Sequence, residues 1–360
     1  MKKFKSLVAV ILAFLLVFSF TGCMHKKDEI AVEVGTTKFT AAQYSYVLLM
    51  ADSEAQGRVN EQLAEAGTDP SVTAVDYYSQ KIDDVDYVTW VENRAVEMLS
   101  EYAAYEKLFT EAGLTLDDEA KAEIESYADY YYPSYQTVYE ANGIGKETYS
   151  KMLTYDIYAD RYFTHLYGKE GSKEIPADDI NKAFYDSYRI ILFLQTDVTE
   201  MEEADINKAK ENLEHYKEHL EKGESIVEVY NEFYGLNEET AASGNAPAKE
   251  ETEVVSVVSD PEFDSNYGID FWEDVKGLEA GKPEILEAKE DSASYLRLVY
   301  VVEIPKDDTA YLDDMDANIR WALKNEEYQK DIKTVAVGMN VVKHKYAMSA
   351  FKVKEINYGE

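Results

Sequence analysis

Cysteine is all but absent. Cys23 is the one cysteine in 360 residues, so no disulfide can form within the chain. Long apolar runs are equally scarce. After the stretch Leu7 to Phe20 there is no second one, which leaves the remainder with nothing long enough to cross a bilayer as a helix. Bases are outnumbered, with 36 Lys and Arg against 71 Asp and Glu and a formal charge of −35. A field of that sign repels nucleic acid, anionic lipid headgroups and anionic wall polymers, and favours basic polypeptides or divalent cations. The same charge also serves simply to keep a surface protein in solution. A nucleophile elbow, a Walker loop and a dinucleotide fingerprint are all missing, so the sequence implies no cofactor.

What is present begins with Lys2, Lys3 and Lys5, followed by the apolar run to Phe20, in the order of a secretory signal peptide. Thr21-Gly22-Cys23 then resembles the bacterial lipobox, with Phe20 in place of the usual Leu. That resemblance implies a signal peptide over residues 1–22, extracytoplasmic location and a lipid anchor on Cys23. Each buried CH2 of an acyl chain contributes about 0.8 kcal/mol, so two or three chains hold a protein on a bilayer. The alternative is an uncleaved signal anchor with an incidental cysteine. Tyrosine is the other excess, at 30 residues against 13 Phe. Its apolar body and polar tip suit half-exposed surfaces that grip peptides, though many tyrosines must fill ordinary core or boundary positions.

With 46% hydrophobic residues there is material for a substantial core, and the length favours two domains over one. Ile30 to Val34 reads as a strand, Gly35-Thr36 as a turn and Lys38-Phe39 as a brief return strand. Thr40-Ala41-Ala42-Gln43 has capping-box spacing. Tyr44, Val47, Leu48 and Ala51 follow at i, i+3, i+4 and i+7, so a helix begins there. Val88, Val91, Ala95, Met98, Leu99 and Tyr102 mark a second helix, closed by Gly113. A third opens at Thr115 to Asp118 and is expected to be interrupted by Pro133. Asn142-Gly143 is a turn, and helix resumes from about Glu147 to Tyr167.

Beyond a short helix carrying Ile180, Ala183 and Phe184 the pattern changes. Arg189 to Leu194 reads as a buried strand. Ile206, Ala209, Leu213, Tyr216 and Leu220 step by helical intervals up to Gly223, and Ile226, Val229, Tyr230 and Phe233 form a second short helix. Asn237 to Thr252 is small, polar and acidic, and reads as a mobile loop. Val254 to Val258 is an expected strand, Phe271, Trp272, Val275 and Leu278 an expected helix ending near Gly281, and Tyr295 to Glu303 an expected strand stopped by Pro305. Helix then returns with Leu312, Met315, Ile319, Ala322 and Leu323. The middle is thus β-α-α-loop-β-α-β, an α+β unit in a helical protein.

This order of elements resembles the extracytoplasmic parvulin-type foldases, the PrsA and SurA group. Ile30 to Val47 is similar to the family's opening strand, turn and helix. Ile175 to Phe193, IPADDINKAFYDSYRIILF, is similar to its approach to the parvulin domain. Leu220-Glu221-Lys222-Gly223-Glu224 with Val229-Tyr230 is similar to its helix pair, and Leu278 to Gly281 with the Tyr295 strand matches the domain's end more loosely. The resemblance implies an α+β protein with a helical chaperone lobe built from N- and C-terminal segments and an inserted parvulin-like domain. Its segments would be 23–187, 188–304 for the parvulin-like domain, and 305–360. It also implies that the first and last strands of that domain are neighbours in one sheet. Its expected partners are unfolded secreted client proteins, besides the bilayer at Cys23.

Parvulins hold the prolyl peptide in an apolar pocket beside two histidines, one on the first strand and one on the last. Here the first position is Ile190, and the second falls at Leu296 or Arg297. The Gly-Gly segment before the third strand is replaced by SGNAPAKEETEVVSVV. By the resemblance, Phe271 keeps the pocket's aromatic role and Tyr267 takes the neighbouring slot. The barrier to isomerisation is about 18–20 kcal/mol, and without either histidine efficient catalysis is not expected. Ile190 and Phe271 would equally serve as plain core residues of a scaffold.

Two metal motifs compete. His215-Tyr216-Lys217-Glu218-His219 fits H-x-x-E-H, which sets two histidines on one helical turn with a glutamate at hand. Tyr216 and Leu220 claim the buried stripe, however, and no third ligand is identifiable. Glu262, Asp264, Asn266, Asp270 and Glu273 fall at EF-hand-like offsets, but Tyr267 occupies the position that needs glycine and Gly268 comes one residue late. No metal site is therefore expected. The anchor reading has a direct test. Cys23→Ala should move the protein out of the membrane fraction, and unchanged retention of the variant would refute a lipid anchor at this residue.

Overall fold

The computed structural model describes residues 27–237, 247–266, 271–290, 293–304 and 309–359. Cys23, Tyr267, Pro305, the apolar run Leu7 to Phe20 and most of the loop expected at Asn237 to Thr252 lie outside them. In chain order the elements are β1 (Ile30–Val34), β2 (Thr37–Thr40), α1 (Ala41–Glu65), β3 (Lys81–Ile82), β4 (Val85–Asp86), α2 (Tyr87–Glu111), α3 (Asp118–Ala141), α4 (Lys146–Tyr167) and α5 (Ala177–Ser187). They continue with β5 (Tyr188–Asp197), α6 (Glu203–Glu221), α7 (Ile226–Phe233), β6 (Ser256–Ser259), β7 (Pro283–Glu290), β8 (Ala293–Val301), α8 (Ala310–Val337) and β9 (Val341–Lys343). Single helical turns occur at Glu251–Val254, Trp272–Val275 and Lys345–Met348. The protein is α+β, and its described residues divide into two compact units, one of residues 27–173 with 326–359 and one within residues 174–325.

The first unit is mainly helical. Its small sheet has the order β2-β1-β9 and is antiparallel throughout. Thr40 and Gln43 form the expected capping box: the Gln43 amide donates to Thr40 Oγ1 at 3.3 Å and the Thr40 amide to Gln43 Oε1 at 3.0 Å. The β3–β4 hairpin turns on Asp83 and Asp84, both at positive φ (51° and 63°), a conformation that short polar side chains tolerate. Phe39, Tyr44, Leu48, Tyr87, Leu99 and Met152 pack into one core, each at most 2% exposed. A fully buried Leu, Phe or Met side chain stabilises by about 1.5–3 kcal/mol.

Pro133 does not interrupt its helix. α3 runs unbroken through it, because Ala128 and Tyr132 before it and Tyr139 after it stay buried in helical register while Pro133 itself faces solvent. That anchoring outweighs the lost amide. Strand β9 was not foreseen, being three residues long, but it extends the sheet through Val32↔Lys343, Glu33↔Val342 and Val34↔Val341.

The second unit is a four-stranded antiparallel sheet of order β6-β5-β8-β7. β5 and β8 pair from Ile191↔Val301 to Asp197↔Tyr295, so the first and last strands of the unit are neighbours. β7 was missed because PEILEAKE carries charges at four of its eight positions and opens on proline. The strand expected at Val254 to Val258 begins two residues later, after a helical turn. The helix expected from Phe271 to Leu278 shrinks to Trp272–Val275, since Gly277 makes continuation entropically costly.

The polar centre of the first unit is Asp52, 1% exposed. Its carboxylate accepts from Tyr87 Oη at 2.9 Å, Tyr358 Oη at 2.5 Å and Gln56 Nε2 at 2.9 Å. A hydrogen bond to a charged group is worth about 1.5–3 kcal/mol. Tyr87→Phe should therefore lower the stability of the first unit by about that amount, read as a shift in its chaotrope midpoint without a change in slope.

Candidate functional site

Side chains on a strand alternate between faces, so the registers fix which pocket candidates can meet. On β5, Leu192 and Leu194 face α6 and α7, where they pack with Leu296, Leu298, Leu213, Tyr216, Leu220 and Val229. Ile190 has the same parity and is 1% exposed. Ile190 and Leu296 thus belong to the helix-covered face and are core. The opposite face carries Ile191, Phe193, Val299, Val301 and Leu286, over which the Phe271–Val275 segment lies.

Arg297 is on this second face and only 8% exposed. Its guanidinium sits over the Phe271 ring at 4.8 Å and over Tyr295 at 5.4 Å, and Nε donates to Gln195 Oε1 at 2.6 Å. Phe193 completes the group, 5.8 Å from Phe271 ring to ring. The structure therefore brings together Phe271 and Arg297 and separates them from Ile190 and Leu296. Phe193, Gln195, Tyr295 and Leu286 join the site unforeseen. Their common signal was strand parity, usable only once the β5–β8 register is known. Chemically the group is a largely buried cation framed by aromatic rings, and among the described residues no acid–base pair joins it.

The metal motifs resolve differently. The rings of His215 and His219 lie 4.1 Å apart between centroids, tilted by 59°. His219 Nδ1 lies 2.9 Å from Glu224 Oε2, close enough for an ion pair but too poorly aligned for a hydrogen bond. Among the described residues no three His, Cys, Asp or Glu are grouped to hold a metal. Asp264, from the EF-hand-like stretch, is engaged internally. It accepts from Tyr188 Oη at 2.6 Å and from the Asn266 amide at 2.9 Å, which makes it a loop clasp.

The first unit offers a cleft of about 830 Å3 whose lining includes Arg58, Trp90, Arg94, Glu101 and Val337. Arg94 is held by Glu54 at 2.8 Å and Glu101 at 3.1 Å, and Arg58 lies over Trp90 at 5.2 Å. Val337 is 88% exposed. Mixed apolar and paired-charge surface of this kind can hold extended polypeptide without demanding one sequence. Elsewhere in the unit, solvent reaches Asp156, yet surrounding protein strips enough hydration to push its carboxyl up to about 6. Its charge in turn raises the phenols of Tyr46, Tyr102, Tyr105 and Tyr149, for each of which burial is the larger cause.

No family model matches the chain, and no curated protein matches it. Solved structures that match include foldases. Foldase protein PrsA from Streptococcus pneumoniae str. Canada MDR_19A is 14% identical over 78% of this chain and 98% of that one, with a TM-score of 0.38. Foldase protein PrsA from Lactococcus lactis is 12% identical over 90% and 98%, with a TM-score of 0.34. PrsA from Bacillus subtilis is 14% identical over 76% and 97%, with a TM-score of 0.31. These values are too low for any residue's role to be carried across. Among the described residues no helix is long and apolar enough to cross a membrane.

The raised Asp156 has a consequence for stability. The folded state binds the proton more tightly than the unfolded chain, so this residue's favourable contribution is complete below about pH 4 and is lost as pH rises through about 6. Asp156→Asn should melt higher than the parent at pH 7.5, and the difference should vanish by pH 3.5. Thermal melts across that range check the sign.

Proposed function

We propose that the protein is a membrane-anchored extracytoplasmic foldase or chaperone that holds unfolded secreted polypeptides. In this reading Cys23 carries the anchor, and the 174–325 unit grips peptide more than it isomerises it. The observation that carries the proposal is sequential. The three stretches resembling the foldases form a strand-turn-helix (β1, β2, α1), a helix running into a strand (α5, β5) and a helix pair (α6, α7), in that order. The pairing of β5 with β8 agrees with the same reading. The cleft beside Trp90 and the aromatic group around Arg297 supply apolar surface for extended chains.

A second reading, a working prolyl isomerase, has Arg297 in its favour. A guanidinium held against Phe271 could donate to a prolyl amide nitrogen and weaken the double-bond character that sets the barrier. Two measurements decide between these readings and a third, an adaptor lipoprotein without a folding role. Suppression of client aggregation near one-to-one stoichiometry is expected, with isomerisation of proline tetrapeptides little above the uncatalysed rate. Strong isomerisation that Arg297→Ala abolishes would establish the second reading. Absence of both activities would leave the adaptor.

A further inference from the structure

Helix α3 exposes Tyr127, Tyr130, Tyr131 and Tyr135 to 43, 75, 45 and 52%. Their spacing, i, i+3, i+4 and i+8, sets all four on one side of the helix. Single exposed aromatics are ordinary on a protein surface, but a contiguous stripe marks an interaction site. The rings touch one another: Tyr127 and Tyr131 are 6.2 Å apart, and Tyr130 meets Tyr131 edge-on at 4.8 Å. Tyr135 lies 5.6 Å from Tyr139, which is 5% exposed and packs on Tyr46 and Tyr149. Tyr135 is therefore braced on the core, and ordering its ring on binding costs little entropy. Pro133, between Tyr131 and Tyr135 in sequence, is exposed on another side of the helix. Having no amide proton, it leaves the Asp129 carbonyl without its usual i+4 donor.

The charge around the stripe says what it takes. α3 carries Asp118, Glu119, Glu123, Glu125, Asp129 and Glu140 against one base, Lys121, itself paired with Asp118. Arg161 offsets Glu123 and Lys146 offsets Asp129, which still leaves the helix acidic. A second copy of this chain, at −35, is repelled, as are anionic lipid and nucleic acid. What fits is a cation on an extended chain, which gains both the acidic field and the faces of the rings.

We propose that the Tyr127–Tyr130–Tyr131–Tyr135 stripe of α3 is a docking surface for lysine- and arginine-rich segments of unfolded polypeptides. This deepens the foldase reading and rests on it for the identity of the client. The test uses the whole chain after residue 22 and two fluorescein-labelled peptides of equal length, one Lys-rich and one with Glu at every Lys position. Anisotropy should show the Lys peptide bound at least about tenfold more tightly than the Glu peptide. Replacing all four tyrosines by Ser should weaken Lys-peptide binding about tenfold or more. Replacing all four by Phe should preserve it, because the ring is the contact. Should the Ser variant fail to match the parent's circular dichroism, Tyr130→Ser alone carries the test and should still weaken binding measurably.

Equal binding by the parent and a folded Ser variant overturns the proposal. So does loss of binding to salt alone with no dependence on the tyrosines, which would reflect bulk charge. Aggregation assays separate the two levels of inference. A parent that binds the Lys peptide through the stripe but suppresses no aggregation keeps the surface and defeats the foldase reading. A Ser variant that suppresses aggregation and binds the peptide as well as the parent keeps the foldase reading and defeats the surface.

Discussion

The buried carboxylate of Asp52 is the constraint on which the first unit depends. A charge in that position is tolerated only when its lone pairs are met, and an unpaired one would cost several kcal/mol. The partners come from its own helix at Gln56, from α2 at Tyr87 and from the last residues of the chain at Tyr358. Asn142 repeats the arrangement at the end of α3. Its side chain donates to the Asn357 carbonyl at 2.7 Å and accepts from the Asn357 amide at 3.0 Å, while Ser45 Oγ donates to the Asn142 backbone carbonyl at 2.7 Å. Helices near the beginning of the sequence are thus polar-satisfied only when the end of the sequence is in place. The β1–β9 pairing imposes the same condition on the sheet.

The second unit depends on strand parity. One face of its sheet is sealed by α6 and α7, so any side chain of that parity becomes core, as Ile190 and Leu296 do. Over the other face lies the short Trp272–Val275 turn, and there an arginine stands among aromatic rings. A cation so placed is held by ring quadrupoles and by Gln195, which keeps its donors oriented while most of its water is removed.

Much of the fold was legible because local rules and tertiary packing agreed. The Thr40–Gln43 capping box, the helical stripe of α6, the apolar run in β5 and the positive-φ stop at Gly223 all formed as their residues dictate. What was hidden depended on partners distant in sequence. β7 is too charged and β9 too short to stand out without the strands they join. Pro133 signalled a break that the packing of Tyr132 and Tyr139 overrides. The candidate site was half legible for the same reason: Phe271 and Arg297 could be named, but the strand register decides that they meet and that Ile190 stands apart.

The outer strands of the second sheet bear on how readily the protein would template the aggregation of other chains. An exposed strand edge presents unpaired amides and carbonyls on which any extended chain can add a further strand. On the proposed function, the protein would be surrounded by such chains. One outer strand, β6, is four residues long, and the other, β7, begins with proline and carries Glu284, Glu287 and Lys289. Lys210 and Lys217 reach from α6 to Glu287 and Glu284 along that border. Short length, proline and charge each discourage strand addition. The sheet can therefore sit among aggregation-prone chains without becoming the template on which they polymerise.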